Sequence, residues 1–202
     1  KDSYGIAAPA FRLPDGTRLG PVRLRVSDLG RSIAFYEEVL GLRAESDGRS
    51  AATLRAGDGS PLVRIESRPG VGRAPQGALG LYHFAILLPE REALGRFLRH
   101  AGERHVRLGM ADHFVSEAIY LQDPDNLGIE VYRDRPRAEW REENGQLSMS
   151  TVPMDVESVP ADARGEGWTG MPAGTRMGHV HLHVGDLDDA SRFYHDALGF
   201  DK

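Results

Sequence analysis

The 202-residue chain contains no cysteine, which excludes disulfide bonds and thiolate metal ligands. Any bound metal ion must therefore use histidine, aspartate or glutamate side chains. No run approaches the roughly 20 apolar residues that a membrane-spanning helix needs, and the N-terminus does not have the pattern of a signal peptide. We therefore expect a cytoplasmic protein that does not act at a membrane.

The chain also lacks an excess of positive charge. It carries 25 lysine and arginine residues against 30 aspartate and glutamate residues, which gives a formal net charge of -5. No basic face is expected, so nucleic acid is not a predicted partner. No glycine-rich phosphate loop precedes a predicted helix, so nucleotide binding has no support either.

What the sequence does contain is a repeated unit. Residues 23–29 (RLRVSDL) return as 181–187 (HLHVGDL), and the same offset relates the pairs Phe35-Tyr36 to Phe193-Tyr194 and Leu40-Gly41 to Leu198-Gly199. A chance resemblance between two amphipathic helices would not preserve one offset throughout. Each copy has an alternating strand, a turn that ends in an N-capping aspartate, and an amphipathic helix that stops at glycine.

A weaker copy lies between these two. The apolar run 82–88 is followed by a turn at Pro89-Glu90 and by a predicted helix over 92–101. More strands follow the helix in the first two copies, at 42–47, 51–56 and 61–66 and at 106–109, 117–122 and 127–133. The unit is therefore predicted as βαβββ, and the fold class as α+β.

The repeats divide the chain into four segments. We expect an N-terminal arm over 1–19, paired first and second units over 20–136, a linker or wrapping arm over 137–176, and the start of a third unit, a truncated second domain, over 177–202. A βα fragment cannot bury its apolar face alone. We therefore expect either a longer protein or an unseen surface that covers the third unit.

The shared register selects two of the eight histidines. One position, at the start of the first strand, holds Pro21 in the first unit, His83 in the second and His179 in the third. A lone strand histidine is usually a packed core residue, but its recurrence at an equivalent position favours a shared role. His83 and His179 are therefore candidate metal ligands.

Two more imidazoles share the strand of His179. His181 and His183 project to the same face as His179, and neighbouring pairs on such a strand can chelate one divalent metal ion. They match Arg23 and Arg25 of the first unit, however, which indicates a polar face. His179 is therefore the preferred ligand.

The candidate carboxylate is Glu130. Alternation along 127–132 places Glu130 and Tyr132 on the face opposite Leu127, Ile129 and Val131. A strand glutamate is most often solvated. If that face instead lines a cavity, Glu130 can join His83 as a second metal ligand from the same unit.

The candidate catalytic residues are His113 and Tyr120, which follow the predicted strand over 106–109. His113 lies in a loop, where histidine is usually a surface residue, but imidazole exchanges protons near neutral pH and can serve as an acid-base group. The adjacent Asp112 can orient it. Tyr120 and Tyr132 can donate to a bound oxygen anion, although packing is the commoner role of both.

These features resemble the vicinal oxygen chelate superfamily, which includes glyoxalase I, extradiol dioxygenases and bleomycin-resistance proteins. The resemblance rests on the βαβββ repeat, the Val-x-Asp-Leu, Phe-Tyr and Leu-Gly signature, and the segment 120–130 (YLQDPDNLGIE). The segments 81–89, 112–118, 132–136 and 178–184 resemble the catechol 2,3-dioxygenase type, which has four units per chain. The resemblance implies tandem units that form a cup-shaped mixed-sheet barrel around a divalent metal ion.

The resemblance also implies a ligand set and substrates. His83, Glu130 and His179 match the family's metal-ligand positions, with Fe(II) favoured and Mn(II) or Zn(II) as alternatives. The implied substrates are a small catechol-like aromatic compound and dioxygen, in aromatic catabolism, and we expect a homo-oligomer such as a dimer. Pro21 cannot be a ligand, so a cup formed by units one and two would contain only His83 and Glu130. If units two and three pair across the connector, His179 completes the triad.

Three functions are compatible with this sequence. The first is a metal-dependent, ring-cleaving extradiol dioxygenase, with His113 and Tyr120 as catalytic residues. The second is a glyoxalase-like, metal-dependent lyase or isomerase that consumes no oxygen. The third is a metal-free protein that binds an aromatic ligand, as bleomycin-resistance proteins do, with His83 and Glu130 uncoordinated.

Overall fold

The computed structural model describes residues 5–68, 70, 72, 75, 77–159, 163 and 167–202. The first unit consists of β1 (Val22–Val26), α1 (Leu29–Glu38), β2 (Arg43–Ser46), β3 (Ala51–Arg55) and β4 (Pro61–Ser67). The second consists of β5 (Gly80–Leu87), α2 (Arg91–Glu103), β6 (Gly109–Asp112), β7 (Ser116–Gln122) and β8 (Gly128–Asp134). The predicted βαβββ order is confirmed in both units.

The third unit follows a connector with little regular structure. The connector contains a 3₁₀ turn (Arg137–Glu139) and a hairpin of β9 (Glu142–Glu143) and β10 (Gln146–Leu147). The third unit then begins with β11 (Arg176–His183), α3 (Leu187–Ser191) and a π-helical turn (Arg192–Ala197). None of the described helices is long and apolar enough to cross a membrane.

Helix ends follow the sequence signals in the first and third units. The Asp28 carboxylate accepts a hydrogen bond from the Arg31 backbone N–H, and Asp186 accepts one from Asp189 in the same way. Gly41 and Gly199 have φ angles of 67° and 82°, so glycine permits the left-handed turn after each helix.

The strands form two open, mixed sheets. Their strand orders are β1-β4-β3-β2 and β11-β5-β8-β7-β6, with β1 parallel to β4 and β5 parallel to β8. The first strand of the third unit, β11, pairs antiparallel with β5 and so extends the sheet of the second unit. The α+β class with mixed sheets is confirmed, while the described strands form no closed barrel.

One apolar core joins both units. In it, Tyr36 of α1 and Phe97 of α2 are fully buried, as expected for aromatic residues at helical spacing. The connector also packs on this core, where the Trp168 ring lies 5.4 Å from that of Phe97. The connector's buried contributions are Met154, Val159 and Met171.

Two buried carboxylates connect the first unit to the turn between β7 and β8. Asp125 accepts hydrogen bonds from the Ser27 backbone N–H at 2.7 Å and from the Arg31 guanidinium at 2.5 Å. Asp123 accepts one from the Tyr36 hydroxyl at 3.2 Å, and burial raises the pKa of Asp123. Because this turn leads directly into β8, the first unit holds that strand in place.

The third unit leaves much of its apolar surface exposed. Leu187 and Phe193 are 80% and 54% exposed, although Phe193 is equivalent in the repeat to a partly buried Phe35. The N-terminal arm covers one end of this unit, because Ile6 and Leu13 form backbone hydrogen bonds with Lys202 and Gly199.

The repeat supplies a matched test of core packing. We expect Phe97→Ala to lower the free energy of unfolding by about 3–5 kcal/mol, because it opens a cavity in the shared core. Phe193→Ala, at the equivalent position of the third unit, should change it by less than about 1 kcal/mol. Urea unfolding followed by circular dichroism measures both. Equal losses in the two variants would contradict the core described above.

Candidate metal centre

The structure brings the three predicted ligand residues together on one face of the five-stranded sheet. His83 lies on β5, Glu130 on β8 and His179 on β11, which are three adjacent strands. We call this face the site face; the opposite face packs against α2 through the shared core. His179 lies beside the other two residues because β11 of the third unit pairs with β5 of the second. A cup formed by units one and two alone would not contain His179.

The ligand atoms of these residues form a compact triangle. His83 Nε2 lies 3.1 Å from Glu130 Oε2 and 3.4 Å from His179 Nε2, and His179 Nε2 lies 3.2 Å from the same Oε2. Neighbouring ligands of an ion with bonds of about 2.1 Å are about 3 Å apart. His83, Glu130 and His179 can therefore hold one divalent metal ion.

The carboxylate of this triad is ionised although it is buried. Glu130 is 3% exposed, and burial alone raises the pKa of a carboxyl group. Hydrogen bonds and charge from His179 and His83 outweigh burial and lower the pKa of Glu130 to about 2. The His179 side chain is 44% exposed, so the triad is open to solvent on that side.

A bulge in β11 aims His179 at the site. The register with β5 shifts between Met177 and His179, so Gly178 is an extra residue in the strand. Residues two apart in a regular strand point to the same face, but here Met177 packs in the core while His179 lies on the site face. A Cβ at Gly178 would overlap the Tyr132 hydroxyl, so the bulge requires glycine.

A second register shift lies in β5. It falls between His181 and Leu182 of β11 and leaves Tyr82 as the extra residue of β5. The Tyr82 ring stacks on His183, with centroids 4.3 Å apart, and meets His181 at 5.0 Å. His181 also meets the His83 ring at 4.8 Å, so the imidazoles of β11 share the site face as predicted.

The two predicted catalytic residues are in contact. His113 Nε2 lies 2.7 Å from the Tyr120 hydroxyl, and Tyr120 pairs with Glu130 across β7 and β8. His113 Nδ1 lies 2.8 Å from the Ser150 carbonyl oxygen, which can only accept, so Nδ1 carries a proton and Nε2 faces the tyrosine. Asp112 does not hold this ring; it forms an ion pair with Arg135.

The site tyrosines are held in the neutral form. Burial raises the pKa of Tyr120, and the charge of Glu130 raises it further. Burial also raises the pKa of Tyr132, with additions from the charges of Asp134 and Glu130. Both phenols therefore remain hydrogen-bond donors at neutral pH.

Sequence reasoning missed the residues that support the triad. A Cβ at Gly128 would lie 2.9 Å from the Cβ of His83, so this glycine allows β8 to approach β5 closely. Gly178 and Ser150 were also missed. The only available sequence signal was the presence of glycine directly before His179 and two residues before Glu130.

A cavity of about 1050 Å³ opens beside His83, one of the three residues of the triad. His83, Tyr120, Tyr82 and His183 line one part of it. The remainder is lined by apolar, amide and charged side chains, including Leu79, Leu81, Leu108, Gln122, Asn126, Arg107 and Asp123. Its lining combines apolar and polar groups, and its volume is large enough for a small molecule.

The glycine in the bulge gives a stability test. We expect Gly178→Ala to lower the free energy of unfolding by about 1–3 kcal/mol, because Tyr132 must move to admit the new methyl group. Gly102→Ala is the control, because its Cβ would meet no atom within 4 Å. In a helix this change should be neutral or stabilising by up to about 1 kcal/mol. Urea unfolding measures both, and an unaffected Gly178→Ala variant would contradict the bulge geometry.

Comparison with known proteins agrees with this architecture. Residues 18–131 match the Glyoxalase/Bleomycin resistance protein/Dioxygenase superfamily. The chain is 42% identical over 189 residues to a Bacillus subtilis (strain 168) protein named Catechol-2,3-dioxygenase. The aligned region covers 93% of this chain and 66% of that relative, so the chain spans slightly less than two thirds of the relative's length.

Two solved structures share the fold. The cppA protein of Streptococcus pneumoniae TIGR4 superposes with a TM-score of 0.61 at 15% identity, over 92% of this chain and 70% of that one. A glyoxalase/dioxygenase from Nostoc punctiforme superposes with a TM-score of 0.51 at 21% identity, over 61% of this chain and 97% of that one. With the matched residues and the paired βαβββ units, the chain belongs to the Glyoxalase/Bleomycin resistance protein/Dioxygenase superfamily.

Proposed function

We propose that the chain is part of a metal-dependent extradiol dioxygenase of the catechol 2,3-dioxygenase type. The observation that carries this proposal is the convergence of His83 Nε2, His179 Nε2 and Glu130 Oε2 within 3.1–3.4 Å. Two imidazoles and one carboxylate on one side of an ion leave its other positions free, which is the ligand set of non-haem iron oxygenases. The B. subtilis relative named Catechol-2,3-dioxygenase also supports it.

The donor set fits Fe(II), with Mn(II) or Zn(II) as alternatives. Glu130 contributes a negative charge that its low pKa preserves across the physiological range. When bound, Fe(II) would hold an aromatic diol and dioxygen close together and pass electron density between them. The exposed side of His179 is where these substrates would approach the triad.

His113 and Tyr120 are proposed as the catalytic residues of this chain. Tyr120 donates its one hydroxyl hydrogen to His113 Nε2, so its oxygen can accept a hydrogen bond from a hydroxyl of a substrate bound beside Glu130. The Ser150 carbonyl fixes the proton on His113 Nδ1, so Nε2 is the nitrogen that accepts and returns a proton through its 2.7 Å contact with Tyr120. The pair can therefore receive a proton that the diol loses and deliver it to the product.

The cavity provides the environment for a catechol-like ring. Leu79, Leu81 and Leu108 supply apolar contacts, and Tyr82 supplies an aromatic surface. The substrates are proposed to be a small aromatic diol and dioxygen.

The ligand assignment is tested by metal content. The intact protein that contains this chain is reconstituted anaerobically with Fe(II), and its metal is quantified by mass spectrometry. We expect His83→Ala and His179→Ala to lower metal affinity at least about tenfold, because each removes one of three protein ligands. His105→Asn is the control, since His105 is exposed and lies outside the site. Unchanged metal content in both ligand variants would refute the assignment.

The reaction class is tested by oxygen uptake with catechol. We expect uptake by the iron-loaded protein and a fall in kcat of about 10²–10⁴-fold in His113→Ala, with iron content unchanged, because the acid-base group is lost. Metal-dependent turnover of another substrate without oxygen uptake would instead favour a glyoxalase-like lyase or isomerase. Binding of catechol by metal-free protein, without turnover, would favour a ligand-binding protein.

A further inference from the structure

Two imidazoles beside the triad are not among its three ligand residues, although one of them, His183, lines the cavity. His181 and His183 follow His179 on β11, and their ring centroids lie 6.1 Å apart. Their contacts are with aromatic rings, and neither forms a hydrogen bond or ion pair with a described residue. Exposed His181 and half-buried His183 are both within reach of solvent.

We propose that His181 and His183 form a second, weaker site for a divalent transition metal ion. Imidazole nitrogens suit Zn(II), Ni(II) and Cu(II), and a pair of them without a carboxylate disfavours Mn(II). The second site therefore differs from the triad in the metals that it takes. Water molecules would complete the coordination of an ion held by two protein ligands.

The geometry of the pair supports this assignment. Alternate residues of a strand lie about 6.6 Å apart on one face, which is within reach of chelation by two imidazoles. Two rings bound to one tetrahedral ion have centroids about 5 Å apart, given metal–nitrogen bonds of about 2.0–2.1 Å. Rotation of the exposed His181 side chain must close the difference from 6.1 Å when an ion binds.

The neighbouring aromatic ring of Tyr82 restricts the side-chain conformations of His183. The Tyr82 ring lies on His183 at 4.3 Å with an angle of 21° between their planes, and the bulge in β5 puts Tyr82 in this position. A ligand ring that is already held loses less conformational entropy when the ion binds. The stack therefore prepares His183 as a ligand.

The second site is separate from the triad. His83 and His179 direct Nε2 at the Glu130 carboxylate, and no carboxylate lies within the hydrogen-bonding distance of His181 or His183 among the described residues. His181 touches His83 only through ring contact, with centroids 4.8 Å apart. Ions at the two sites would therefore share no protein ligand.

Zinc titration of the metal-free intact protein, with a chromophoric chelator as competitor, tests the proposal. We expect two zinc ions per wild-type chain, one tight and one weak, but a single ion when Mn(II) replaces zinc. His183→Ala should weaken the second ion at least about tenfold and leave the first unchanged. His183→Gln is a second variant that keeps a larger side chain under Tyr82, and circular dichroism verifies that both are folded.

Two further variants distinguish this proposal from the assignment of the triad. His179→Ala should abolish the tight ion and retain the weak one, whereas His105→Asn should retain both. A single zinc ion in the wild-type protein would overturn the proposal, as would a second ion of unchanged affinity in folded His183→Ala and His183→Gln variants. Loss of the weak ion with retention of the tight ion in His179→Ala would refute the triad instead.

Discussion

The hydrogen-bonded pairing of β11 with β5 is the contact on which the candidate site depends. It brings His179 next to His83, although about half of the chain's length separates them in sequence. Closing so long a loop costs conformational entropy. The connector offsets this cost by packing Met154 and Met171 into the same core as α1 and α2, so the crossing from β8 to β11 is fixed at several points.

Two β-bulges, rather than regular strand alternation, determine which side chains point toward the site. Gly178 resolves two conflicting demands on β11, because Met177 must face the core and His179 must face the other ligands. Glycine is the residue that fits, since Tyr132 occupies the space of a side chain. On the neighbouring strand, Tyr82 is the extra residue and reaches the imidazoles of β11. Bulges commonly re-aim side chains beside active sites.

Buried carboxylates of the second unit have distinct partners on the two faces of its sheet. Glu117 is 1% exposed and accepts hydrogen bonds from Arg91 and Arg133, which oppose the effect of burial and lower the pKa of Glu117. Glu130 instead contacts the imidazoles of His83 and His179, which together with it could hold a metal ion. The charge of Glu117 is therefore neutralised by guanidinium groups, and its role is structural. The charge of Glu130 remains available to a metal ion.

The sequence by itself determined the repeat, the βαβββ order and the α+β class, because strand alternation, helix caps and glycine stops are local signals. Its register also singled out His83 and His179, and alternation put Glu130 on the face away from the core. The tertiary structure decided which units pair, since Pro21 left that choice open. It also revealed the bulge at Gly178 and the Ser150 carbonyl behind His113. Strand pairing and bulges depend on contacts between distant segments, and no local pattern encodes those contacts.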